Sequence, residues 1–273
     1  MDIREWVRTA PTGTSRWGNT ARRLAFSAAG VASLLCATPG TGQADGIVVS
    51  HDINTLATFL AGAQEARFAV NVASYLTSGH STKNLLLFDS NPGDGTRDFS
   101  TTVLNALTNA GFSVTVTSNY TTPFARYDAV FVAEDYPTVG FLDNTALINY
   151  VAGGGGVYLA GGVGGGSAST EAGGWKTFLS HYGLAFVSTG YNGLTSVKIT
   201  STDPIFSGVT TLGAGNGQSI LDLGTNPNAR IVQFSGNQGV YAVVSVPEPE
   251  TVALMSIGLV SIGLVMRRSR RRA

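Results

Sequence analysis

Cysteine is all but missing from this chain. Cys36 is the single one in 273 residues, and it lies in an N-terminal apolar run. From residue 45 onward no disulfide, thiolate metal site or cysteine nucleophile can form. Histidine is nearly as scarce, with only His51, His80 and His181. Neither the His51-Asp52 pair nor His80 has a metal-ligand partner at useful spacing. Positive charge is scarce in the middle. Seventeen basic residues balance seventeen acidic ones, but ten arginines crowd the two ends. Residues 45–246 keep 7 basic against 13 acidic residues, about six net negative charges. An acidic body with scattered cations offers no footprint for nucleic acid. There is also no Gly-x-Ser-x-Gly elbow, no P-loop lysine and no internal repeat.

What is present at the ends is more telling. Arg22-Arg23 precede an apolar run over 24–37, and Gly42-Gln43-Ala44 places small residues where a signal peptidase reads. Residues 1–44 are therefore expected to be a signal peptide. Residues 45–246 would form one exported domain, a size that buries a full core.

At the other end, Val246-Pro247-Glu248-Pro249 leads into an apolar stretch over 251–266. Arg267, Arg268, Arg270, Arg271 and Arg272 follow it. Sixteen helical residues reach about 24 Å, short of a bilayer core of about 30 Å. Arginines snorkelling at one end make up part of the difference and hold that end in the cytoplasm. Residues 247–273 are thus read as a sorting tail. The Pro247-Glu248-Pro249 motif, the glycine-containing apolar helix and the arginine cluster, in that order, resemble the PEP-CTERM sorting signal. That resemblance implies an exosortase, a membrane cysteine protease-transpeptidase, as processing partner, acting near the motif. It also implies a Gram-negative host that makes exopolysaccharide. The chain would pass through an inner-membrane anchored intermediate to the cell surface or extracellular matrix.

The middle alternates two periodicities. Continuous apolar runs at 84–88 and 127–133 read as buried strands, and 157–160 as a further strand. Residues 54–77, 99–110, 142–152 and 170–182 carry apolar positions at helical spacing. Glycine at 111 and at 153–156 stops two of these helices. From 197 onward only short strands with Gly, Asn and Pro turns follow. Alternating β and α elements predict an α/β fold, a doubly wound and mostly parallel sheet with helices on both faces. Extra antiparallel strands would join at the C-terminal end, and ligands would meet the C-terminal ends of the parallel strands. The order of elements over 84–209, with Leu159-Ala160-Gly161-Gly162-Val163-Gly164-Gly165-Gly166 and Asp203-Pro204-Ile205-Phe206-Ser207-Gly208-Val209, resembles the class I glutamine amidotransferase-like fold. The likeness is to its non-catalytic or carbohydrate-associated branches. There Val163 takes the place of the family's nucleophilic cysteine, and valine has no nucleophilic atom.

Candidate chemistry gathers in one crevice: Asp89, Asn91, Asp94, Glu134, Asp135, Gly162, Val163 and Glu171. Asp89, Asn91, Asp94 and Asp98 offer oxygen donors suited to Ca²⁺. A turn followed by an Asp98 helix cap explains the same residues without a metal. Glu134 and Asp135 point opposite ways along a strand end and do not face each other. Glu171 joins them only if the glycine loop folds back. Gly161–Gly166 could cradle a phosphate, and Ser167, Ser169 and Thr170 suit helix capping. Tyr120, Phe124, Tyr127, Tyr136, Tyr182 and Tyr191 are candidate sugar-stacking rings. The expectation is a domain with no catalytic residues and no cofactor, associated with exopolysaccharide. The alternative is an exported hydrolase using these carboxylates on polysaccharide.

Overall fold

A computed structural model describes residues 46–89, 98–119, 121–133, 142–162 and 167–246. All of them belong to one unit of the chain, Gly42–Ala273. The leader, the sorting tail, Asn91, Asp94, Glu134, Asp135 and Val163 lie outside the described residues.

The first strand, β1 (Gly46–Ser50), is buried along its whole length. Helix α1 (Ala63–Leu76) follows a short 3-10 turn at Ile53–Leu56. Strand β2 (Asn84–Asp89), helix α2 (Thr101–Asn109), strand β3 (Ser113–Thr117) and strand β4 (Ala129–Ala133) come next. Helix α3 (Asn144–Ala152), strand β5 (Gly156–Ala160) and helix α4 (Ala168–His181) complete the alternating part. Six strands then succeed one another without an α-helix: β6 (Leu184–Phe186), β7 (Ser196–Lys198), β8 (Thr211–Gly213), β9 (Ile220–Asp222), β10 (Ala229–Ser235) and β11 (Gln238–Ser245).

The main sheet runs β3-β2-β4-β5-β1-β11-β9-β6, with β10 on β11. Its first five strands are parallel. Strand β11 enters antiparallel beside β1, and β9 and β6 continue antiparallel. The sheet is mixed α/β and mostly parallel, with the antiparallel strands on the β1 side, as expected. Strand order reverses between β2 and β4, so their C-terminal ends flank a topological switch point.

Side-chain alternation sorts each strand between two cores. Leu85 and Leu87 of β2 join Phe68, Val72 and Leu76 of α1 on one face. Leu86 and Phe88 join Trp175, Phe178 and Leu179 of α4 on the other. Phe68 stacks on Phe206 at 5.6 Å and meets the edge of Tyr241 at 5.3 Å. Both rings are nearly sealed from water, and such contacts add to area burial by about 0.5–1.5 kcal/mol each.

Caps set the helix starts. Ser167 caps α4 and accepts from Thr170 N–H; Asp143 caps α3. At α2 the cap differs from expectation. Ser100, not Asp98, accepts the Thr102 N–H. Asp98 sits two residues earlier, where its backbone carbonyl accepts from Thr58 N–H and Thr58 Oγ1.

Candidate functional site

The parallel strands end at one pole, and the ends of β1, β2 and β5 are tied to neighbouring segments by hydrogen bonds. Asp89, the last residue of β2, is buried and accepts the Phe99 N–H at 3.3 Å. It links the described residues on either side of 90–97. Asp128, at the start of β4 on the opposite pole, does similar work. It accepts from Asn84 N–H at 2.7 Å and Thr82 Oγ1 at 3.0 Å, and lies 3.2 Å from His80 Nδ1.

The two described glycines after β5, Gly161 and Gly162, both bond back to the fold. Gly161 N–H donates to the Ser50 carbonyl at 3.0 Å. Gly162 N–H donates to Glu171 Oε1 in a short bond. Both amides that would begin a phosphate cradle are therefore occupied from within. Gly162 holds φ at +87°, and a Cβ there would meet the backbone of Gln218 and His51. Only glycine fits such a position without strain. The other oxygen of Glu171 accepts from Tyr191 Oη at 3.2 Å. The structure thus brings Gly162 and Glu171 together, with the carboxylate buried and engaged. Glu171 is a lock on the turn rather than an exposed acid.

Beyond β1 the His51-Asp52 pair, which has no metal partner at useful spacing, forms a polar knot with Ser50. Ser50, His51 and Asp52 are all fully buried. Asp52 accepts from Asn54 N–H at 2.8 Å and from Gly215 N–H in a short bond. Burial lifts its carboxyl to about 6, against the lowering pull of those amides and the Asn54 side chain. Burial depresses His51 to about 3, so its ring stays neutral at ordinary pH. His51 Nδ1 meets Asn192 Nδ2 at 3.0 Å. A Cβ on Gly217 would overlap the His51 ring, so this approach needs glycine. Tyr241 meets the His51 ring edge-on at 5.6 Å, and Tyr158 and Tyr241 are both buried. Burial drives both phenols well above their usual range. The signal for this knot was the Ser-His-Asp run directly after an apolar strand. Only the three-dimensional return of 215–218 makes it legible.

Among the described residues no group of three or more His, Cys, Asp or Glu is arranged to hold a metal ion. Asn91 and Asp94 of the calcium-loop candidate are outside them. The described aromatic candidates have protein partners. Phe124 meets the edge of Tyr150, Tyr182 packs on Phe178, and Tyr191 bonds Glu171.

An open feature lies beside this knot. A groove of about 560 Å³ runs between the 187–192 loop, β9 and the β10–β11 hairpin. Phe234 and Leu221 line it, 52% and 48% exposed. Asn192, Asp222, Asn237 and Gln238 supply polar edges. Tyr191, a candidate from the sequence, also lines the groove, which three separate segments assemble.

The tail is where comparison speaks. A sequence model of the PEP-CTERM protein-sorting motif matches residues 245–272. The chain carries an exosortase sorting signal. It begins on Ser245, the last residue of β11, so the sorting motif abuts the folded sheet directly. The PEP-CTERM motif marks an exported protein delivered through exosortase to the cell surface. Among curated proteins and solved structures none matches this chain. Among the described residues no helix is long and apolar enough to cross a membrane; the apolar 251–266 stretch lies outside them.

Proposed function

We propose that this chain is a non-catalytic surface or matrix protein whose domain binds exopolysaccharide after exosortase sorting. The observation that carries the reading is the PEP-CTERM motif joined directly to a closed α/β domain. The state of the crevice supports the absence of catalysis. Asp89 and Glu171, two of the four carboxylates a hydrolase would draw on, are buried and hold backbone amides. A general acid or base must instead reach a substrate proton.

The finer fold reading also belongs here. Taking β2 as first, the parallel strands run in the order 2-1-3-4-5, with N-terminal β1 in the fifth place. That order supports a flavodoxin-like frame, with which an amidotransferase-like ancestry lacking its nucleophile is consistent. Signal peptidase removes the leader, and the tail holds an anchored intermediate in the inner membrane until exosortase acts.

The test uses the producing cell. Replacing Pro247-Glu248-Pro249 by alanines is expected to leave unprocessed chain in the inner-membrane fraction. Wild-type protein should be recovered with the polysaccharide, and should fall away from cells unable to make it. Equal recovery from both kinds of cell contradicts the binding role. New reducing ends released from the polysaccharide by the purified protein contradict the non-catalytic role.

A further inference from the structure

We infer that the groove between the 187–192 loop, β9 and the β10–β11 hairpin is a binding site for a neutral glycan chain, held at the pole of the domain opposite the sorting tail. This rests on the exopolysaccharide-binding reading and adds the site and the chemistry of the ligand.

Chemistry selects the ligand class. Phe234 is half exposed at the groove, next to the buried Gln233 and just before the exposed β10–β11 turn at 236–237. An exposed ring beside Leu221 gives a flat apolar surface that a sugar's C–H face can cover. Asn237 and Gln238 each offer a donor and an acceptor, the pairing that vicinal hydroxyls require. Small ligands are bound by such an apolar floor with a few convergent polar groups. Charge narrows the choice. No Lys or Arg lines the groove, and Asp222 is its carboxylate. A uronate-, sulfate- or phosphate-bearing polymer would meet like charge without a countering cation. A neutral glycan meets no such penalty.

The groove is also braced. Tyr191 Oη bonds Glu171, and Asn192 bonds His51 through its side chain and the Gly217 carbonyl through its N–H at 2.7 Å. The wall is thereby tied to the buried knot, and a preformed wall loses little freedom on binding.

Topology supplies the presentation. Gly46 pairs with Ser245, so the first and last strands leave the sheet at the same pole. Gly239 pairs with Ile220 at the far end of β11. Six residues at about 3.3 Å each separate the two positions, about 20 Å. The sorting motif starts at Ser245, so the groove opens on the side away from the attachment point.

The test takes the exported protein as its host releases it. The probes are the neutral and acidic fractions of the host's own polysaccharide, separated by anion exchange and read by affinity electrophoresis. Wild type is expected to bind the neutral fraction. Phe234→Ala should weaken binding by about tenfold or more, and Phe234→Tyr should keep most of it. Asn237→Ala provides a second, independent loss should Phe234→Ala fold poorly. Retardation by the acidic fraction alone, or unchanged binding by both alanine variants, overturns the site while leaving a polysaccharide-binding role. Binding to neither fraction overturns that role as well.

Discussion

The parallel strands and the antiparallel margin reach the same pole of one sheet, yet they finish there differently. At the parallel ends, polar groups turn inward. Asp89, Glu171 and Asp52 each accept backbone N–H groups, and His51 stays neutral under full burial. At the antiparallel margin, Phe234, Leu221, Asp222, Asn237 and Gln238 face solvent. The first region stabilises; the second is free to touch something. Carboxylates at a strand end are therefore poor guides to function until their partners are known. An exposed ring on a hairpin can be the better guide.

The comparison breaks most readily at Gly162. Gly162→Ala forces a side chain into a left-handed backbone and against Gln218 and His51. A loss of about 3 kcal/mol or more is expected, read as a lower denaturation midpoint in urea. A loss under about 1 kcal/mol would mean the turn is slack. Glu171→Ala strands the Gly162 amide, an expected cost of about 2 kcal/mol. Glu171→Gln keeps an acceptor and should cost clearly less. If it abolished a measured activity instead, the lock would be an acid after all.

Acid sharpens the same contrast. His51 has a folded-state pKa below its unfolded value, so the unfolded chain takes up the extra proton. Its contribution is intact above pH 6.5 and is lost as pH falls toward 3. Asp52 acts the other way, since its folded value is raised. Its effect favours the folded state as pH falls from 6 through 3.8. The wild type should therefore lose stability relative to His51→Gln on going from pH 7 to pH 5. The expected slope is about 1.4 kcal/mol per pH unit below 6.5. A flat difference would mean the ring is already hydrated. The smallest effect belongs to the margin. Phe234→Ala should change stability by about 0.5 kcal/mol or less, because half the ring is already in water. A large loss there would make Phe234 a core residue and remove the contrast.

Much of the frame was legible from residues alone. The runs at 84–88, 127–133 and 157–160 became β2, β4 and β5, because strands buried on both faces need unbroken apolar sequence. The switch to short strands after 197 held as well. Strand β8 escaped notice since three residues with one buried side chain, Leu212, carry no period. The capping of α2 shifted from Asp98 to Ser100 because chain geometry, not residue type alone, selects the cap. The site was less legible. Glu171 is set by where Gly162 returns, and the groove joins segments some fifty residues apart in sequence. Neither leaves a local pattern. The sorting tail was the reverse case, since its motif, apolar run and arginines are contiguous.

Mass measurement of both termini of the chain recovered from its producing host tests this account most directly. The account predicts a polypeptide beginning at Asp45 and ending close to Val246, found outside the cytoplasm. An intact chain of 28.3 kDa, dissolved in the cytosol with residues 1–44 and 247–273 still attached, would contradict it.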